Sequence, residues 1–231
     1  MRDLDQIHKL QETHSETVQF QDIISSDQIE ELKQYYYSSN DTLQKTTGPK
    51  VLYVDDHPFV KYITEYLQQY YRPFEVRSAH FFEVTRPHVV HIDDEFDYPD
   101  SYKAFTIPIE TIGAPCDRAK LIMFNQYYYG GPAKFFQGES NDFMKVHYNK
   151  TITDYQDIWY KDEQEFPEHL HIMLLNHLKK QWLDGLSIDN YFPWKIGSII
   201  AFDSLRLHSA SDFSRTGITK KLGLSIFTKL K

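Results

Sequence analysis

Five short segments between Phe74 and Lys229 constrain the fold of this chain more than any other feature. They read FEVRSAHFFEVT, KAFTIPIETI, AKLIMFNQYYY, GSIIAFDSLRLHS and KLGLSIFTK. Each is rich in β-branched and aromatic residues, and each is bounded by Pro, Gly or Asp. A parallel α/β fold needs a helix between successive strands, and most of these segments follow one another without one. Short strands with irregular connections and outlying helices instead point to two antiparallel sheets forming a barrel or jelly roll. The expected class is therefore mainly β with flanking helices. The aromatic share, with Tyr 17 and Phe 16, fits a large sheet core. A pocket lined by Tyr is the alternative use for it.

The helices are expected outside this core. Ser25 with Gln28 fits a capping box, and Ile29, Leu32 and Tyr36 follow at helical spacing. In DDHPFVKYITEYLQQYY, Asp55 or Asp56 caps and Pro58 sits in the first turn. Phe59, Ile63, Tyr66, Leu67 and Tyr70 then make one stripe, ended by Arg72-Pro73. One helical interlude interrupts the strands. Pro167 opens it, Leu170, Leu174, Leu178 and Trp182 share a face, Lys179 and Lys180 lie in the last turn, and Gly185 follows as the terminator. The length of 231 residues suits a single domain: a helical part over 1–73 and a β core over 74–228. An insertion over 128–190 interrupts the core, and 132–166 within it is expected to act as a lid.

A net charge of −8 argues against a nucleic-acid backbone as principal partner, although the C-terminal KLGLSIFTKLK is locally basic. Cys116 is the only cysteine, so neither a disulfide framework nor a Cys-rich metal site is expected. The N-terminal residues lack the apolar core of a signal peptide, and no apolar run approaches the ~18 residues that span a bilayer. The expectation is a soluble cytoplasmic protein with neither a membrane nor a nucleic acid as partner. The sequence gives no oligomeric state.

HVVHIDDEF, residues 88–96, carries the chemistry. On an extended segment His91 and Asp93 point to one face, which presents an imidazole beside a carboxylate. One more histidine would complete a two-histidine, one-carboxylate triad, which fills one face of an Fe(II) ion and leaves positions open. His208, after the GSIIAF strand, is the candidate. The bland alternative is a surface pair beside an acidic run, and Asp94, Glu95 and Asp97 are expected to be solvated. His88 diverges from His91 along a strand, and His80 either lines a pocket or is a satisfied core residue. His169, His171 and His177 share no ligand spacing with a carboxylate.

The KLGLSIFT segment alternates. Leu222, Leu224 and Ile226 face one way, while Lys221, Gly223, Ser225 and Phe227 face the other. An inward Lys221 costs several kcal/mol unless an anion pairs with it. A bound dicarboxylate would supply that anion, with Gly223 leaving room for it and Ser225 adding a hydrogen bond. Otherwise Lys221 is an edge residue that snorkels to solvent.

His91-Ile92-Asp93, the distal His208, and Lys221 followed by Gly223 and Ser225 together resemble the Fe(II)/2-oxoglutarate-dependent dioxygenases, in the order seen in their phytanoyl-CoA and prolyl hydroxylase branches. The resemblance covers about residues 74 to 228. It implies a double-stranded β-helix (a cupin-like jelly roll) and the cofactors Fe(II), 2-oxoglutarate and O2. It makes His91, Asp93 and His208 the metal ligands and catalytic residues. Lys221 and Ser225 become the 2-oxoglutarate anchor, with Asn125 on the LIMFNQYYY strand as a further contact. The implied reaction hydroxylates a small molecule and releases succinate and CO2; Asp93 speaks against halogenation, because halogenating members lack that ligand. The chain departs from the pattern in having Lys where Arg is commoner, and in placing it further past His208 than usual. Arg215 and Lys220 therefore compete with Lys221, and Arg could grip a carboxylate with two parallel bonds. Two other readings share the barrel: a cupin-like metal- or ligand-binding protein without oxidative turnover, and a hydroxylase of protein side chains.

Overall fold

Strands from distant parts of the chain build two facing antiparallel sheets, a double-stranded β-helix. The computed structural model describes residues 4–39, 50–94, 100–129, 134–135, 158–159 and 164–231. The strands are β1 (Val18–Phe20), β2 (Lys50–Tyr53), β3 (Phe74–Val84), β4 (Val90–His91), β5 (Ser101–Ile112), β6 (Lys120–Tyr128), β7 (Lys134–Phe135), β8 (Ile158–Trp159), β9 (Ile188–Pro193), β10 (Ile199–Asp203), β11 (Arg206–Ala210) and β12 (Lys220–Leu230). The major sheet runs β1-β10-β5-β12-β3-β2, and the minor sheet runs β7-β4-β11-β6-β8 with β9 also on β6. From β3 to β6, and again from β9 to β12, the chain crosses from one sheet to the other at every step. Residues far apart in sequence therefore become neighbours, and His208 on β11 stands opposite His91 on β4.

The alternation of β12 sorts its side chains as the sequence predicts. Leu222, Leu224 and Ile226 are buried on the outer face of the major sheet with Phe81, Phe105 and Ile107. Two helices cover that face, α2 (Ser26–Ser38) and α3 (Pro58–Leu67). The first buries Ile29, Leu32 and Tyr36; the second buries Phe59, Val60, Ile63 and Leu67. Each fully buried side chain of this size contributes roughly 1.5–3 kcal/mol. Between the sheets lie Ala104, Leu121, Met123, Phe192, Ile200, Phe202 and Phe227. Leu174, Leu175, Leu178 and Leu183 pack on the outer side of the minor sheet against Ile122, Phe124 and Leu207.

Ser25 closes the capping box of α2 with Gln28. In α3 the cap is His57 rather than Asp55 or Asp56: its Nδ1 accepts from the Phe59 amide. Asp55 accepts instead from the Ala79 amide and so ties the helix entrance to β3. The expected interlude helix is shorter than its apolar spacing suggests, because α4 covers only Glu168–Leu174. The amide of Asp212 takes the Leu174 carbonyl at 2.7 Å, and Leu178 turns to the Leu175 carbonyl. A separate 3-10 turn, Lys180–Trp182, follows, and Gly185 beyond it has φ +84. Leu178 and Trp182 still reach the same apolar cluster as Leu174.

The N-terminal 73 residues are not only helical. After α1 (Leu4–Gln11), β1 pairs with β10 and β2 pairs with β3, so both outer strands of the major sheet come from this part. Thr13 and Ser15 also bond to Lys103 of β5, whose Nζ pairs with Asp203 of β10. His14 lies flat on Tyr127, with ring centroids 3.9 Å apart. Most of the expected lid over 132–166 lies outside the described residues. Among the described residues no helix is long and apolar enough to cross a membrane.

Candidate functional site

The end of β4, the turn after it and the middle of β11 bring three side chains together. A nitrogen of His91, a nitrogen of His208 and a carboxylate oxygen of Asp93 lie within 4.8 Å of one another. Both His91 Nε2 and His208 Nε2 stand 3.5 Å from Asp93 oxygens, one on each. Two donors about 2.1 Å from one ion, at right angles, are roughly 3 Å apart, so the spacing suits a shared divalent ion. The amide of Asp93 donates to the Ser204 carbonyl at 2.8 Å, which fixes the turn against the β10–β11 connection.

The backbone sets the state of the two imidazoles. Nδ1 of His91 lies 2.9 Å from the Val89 carbonyl, and Nδ1 of His208 lies 2.9 Å from the Arg206 carbonyl. A carbonyl only accepts, so each Nδ1 carries a proton, and Nε2, the atom facing Asp93, is the one left to bind a metal. His88 sets its ring edge-on to His91 at 4.4 Å, while its carbonyl accepts from Ser209 Oγ. Asp94 is not solvated as expected: it is 3% exposed and accepts from Ser101 Oγ at 2.8 Å. Glu95 and Asp97 lie outside the described residues.

These groups open on a pocket of about 180 Å³ between the sheets, and Lys221 and Ser225 line it from the major sheet. Lys221 is only 3% exposed. Its Nζ lies over the Trp194 ring at 3.7 Å and near Phe213 at 5.0 Å. It makes no hydrogen bond or ion pair with the described residues, and burial lowers its pKa to about 7. Its competitors are occupied elsewhere. Lys220 points to the other face, 2.9 Å from Glu83 and 3.1 Å from the Tyr37 hydroxyl. Arg215 donates to the Ile172 carbonyl from an exposed 3-10 turn.

Two expectations fail here. Asn125 does not face the pocket: it is exposed and bonds to Ser187 Oγ at 3.0 Å. The pairing of β6 slips at this point against both β9 and β11, and the bulge turns Asn125 outward. Gly223 does not leave space for a ligand either. A Cβ there would lie 2.5 Å from Phe82 Cζ and 3.0 Å from Trp194 Cζ2. The gap admits the Phe82 ring, which meets Trp194 edge-on and completes the wall beside Lys221.

Sequence reasoning left His80 undecided and missed Thr106 and Trp194. His80 and Thr106 line the pocket from β3 and β5, and Trp194 lines it just beyond β9. The alternation of β3 carried a usable signal, since His80, Phe82 and Val84 all face the pocket.

No family model matches the sequence, and no curated protein does. Solved structures resemble it in fold. One is the non-haem alpha-ketoglutarate-dependent carbocyclase SnoK of nogalamycin biosynthesis, 10% identical with a TM-score of 0.53, covering 99% of this chain and 84% of that one. Another is the epimerase SnoN in complex with Fe3+, alpha ketoglutarate and nogalamycin RO, 12% identical with a TM-score of 0.51, covering 99% and 85%. The chain has the fold of the non-haem, 2-oxoglutarate-dependent oxygenases.

Proposed function

We propose that this chain is a non-haem Fe(II)/2-oxoglutarate-dependent oxygenase that hydroxylates a small molecule. The observation that carries the reading is one pocket with two unlike ends. One end has two imidazole nitrogens and a carboxylate oxygen in ligand spacing; the other has a buried ammonium group with no ion-pair partner among the described residues. A binding barrel without turnover would account for the first end but gives no reason for the second.

The residues present fit the cofactors. His91, Asp93 and His208 would hold Fe(II) through neutral Nε2 atoms and one carboxylate, leaving coordination positions for other ligands. Lys221 and Ser225 would receive the distal carboxylate of 2-oxoglutarate, which supplies the anion that the buried ammonium lacks. When bound, these cofactors supply oxidation by O2, with decarboxylation of 2-oxoglutarate to succinate and CO2. The chain itself orients and excludes water. The Val89 and Arg206 carbonyls fix the imidazoles, and Phe82, Phe227 and Trp194 wall the pocket. A small-molecule substrate is favoured by analogy with SnoK and SnoN, both of nogalamycin biosynthesis.

The experiment is anaerobic addition of Fe(II) and 2-oxoglutarate, followed by O2. A weak visible charge-transfer band and substrate-independent succinate release are expected, and Asp93→Ala should remove both. Retained iron with neither band nor succinate would make the protein a metal-binding barrel.

A further inference from the structure

Three polar residues form a straight row across the inner face of the major sheet. Ser225 of β12 stands opposite His80 of β3 on one side and Thr106 of β5 on the other. All three line the pocket that holds His91, Asp93, His208 and Lys221. Each is buried, His80 at 8% exposed, Ser225 at 7% and Thr106 at 6%.

None of the three side chains has a hydrogen-bond partner among the described residues, and Nδ1 of His80 is fully enclosed without one. Buried polar groups in native proteins are overwhelmingly paired, and each unpaired one costs about 1–3 kcal/mol. His80 Nδ1 is such a group, while the Ser225 and Thr106 hydroxyls open on the cavity; donors set in one row along a cavity wall are the complement of a ligand rich in acceptors. Ser225 joins the row to the ammonium end, and His80 and Thr106 extend it across the sheet. On β12, Gly223 with the Phe82 ring intervenes between Lys221 and Ser225, and the charge of Asp93 acts on His80. Burial keeps His80 neutral, with a pKa near 4, so it offers one N–H and adds no second cation.

We infer that His80, Ser225 and Thr106 form a second recognition element, a donor row that binds oxygens of an oxo dicarboxylate lying between the His91–Asp93–His208 cluster and Lys221. This rests on the reading of the pocket as a 2-oxoglutarate site and adds His80 and Thr106 to it. The two residues hold the acid in place, and Lys221 neutralises its far charge.

The test is calorimetric titration of 2-oxoglutarate into the full chain loaded with Mn(II), which fills the metal site without turnover. Thr106→Val removes a hydroxyl with little change in volume, and His80→Met removes both ring nitrogens. Each should weaken 2-oxoglutarate binding about ten- to a hundredfold, the range for a hydrogen bond to a charged group, with Mn(II) affinity unchanged. His80→Gln, which keeps a donor, should recover part of the loss. Wild-type affinity in Thr106→Val and His80→Met would overturn the row alone. So would an equal loss of Mn(II) binding, which would mark both residues as structural. Failure of the wild-type chain to bind 2-oxoglutarate would overturn the oxygenase reading and the row with it.

Discussion

Lys221 Nζ lies 3.7 Å from the centre of the Trp194 ring, closer than the Phe213 ring at 5.0 Å. Cation–π attraction at a desolvated site is worth about 2 kcal/mol, less than the cost of burying an ammonium ion. Burial therefore dominates and lowers the group from an ordinary 10.5 to about 7. A carboxylate arriving in the pocket favours the charged form, so above that pH binding takes up a proton. Affinity for 2-oxoglutarate should be flat below pH 7 and weaken toward tenfold per unit above it. Calorimetry in buffers of different ionisation enthalpy reads the proton uptake, and Lys221→Arg should abolish it. An affinity independent of pH from 7 to 9 would contradict the assignment. For the unliganded protein the sign is opposite. Between about 7 and 10.5 the unfolded chain holds the extra proton, so the cost that this lysine imposes on folding shrinks as pH rises. Wild type minus Lys221→Met, measured by denaturant titration, isolates that contribution.

The three clustered ligand atoms predict a stability change on metal binding. A ligand at a hundred times its dissociation constant stabilises by about 2.7 kcal/mol, or roughly 5–10 °C in Tm for a chain of this size. Mn(II) should raise the wild-type Tm by about that much and leave His91→Ala, Asp93→Ala and His208→Ala almost unmoved. Differential scanning calorimetry with and without Mn(II) is the measurement. A full shift in any one variant would remove that residue from the ligand set.

Away from the site, Lys103 is 1% exposed and pairs with Asp203, which also accepts from the Tyr127 hydroxyl and the Ser15 amide. Asp203→Leu leaves a buried ammonium uncompensated and should cost ~3–5 kcal/mol. The double variant Lys103→Met with Asp203→Leu should recover much of that, because neither charge of the pair then remains. Urea titrations of the two variants decide it. Equal losses in both would mean that the remaining hydrogen bonds to Thr13 and Ser15, not the ion pair, hold the N-terminal segment.

The sequence made the site's extremes legible and hid its middle. His91 and Asp93 share a face by simple alternation, and Lys221 is set inward by the Leu222-Leu224-Ile226 pattern; both follow from local periodicity. The row His80–Ser225–Thr106 depends on the register of three strands, which no single segment encodes. Asn125 shows the converse: alternation put it beside Tyr127, and a bulge turned it out. At three and four residues, β1 and β2 are too short for any period to appear. Asp94 reads as part of an acidic run because its partner, Ser101, lies seven residues further along the chain.

Gly223 offers a final prediction, since it links sheet packing to the pocket wall. A methyl group at that position would sit 2.5 Å from Phe82 Cζ, closer than real carbon contacts. Phe82 would have to swing away, and Trp194, 3.0 Å from the same methyl, would lose its seat over Lys221. Overpacking of this kind costs about 1–3 kcal/mol in stability. Gly223→Ala should therefore lower the denaturation midpoint and also weaken 2-oxoglutarate binding, although position 223 itself touches no ligand. Pairing it with Phe82→Leu, which clears the ring, should restore stability more than binding, because the aromatic wall stays incomplete. If Gly223→Ala binds 2-oxoglutarate normally, the Phe82–Trp194 contact is only packing and does not position the lysine.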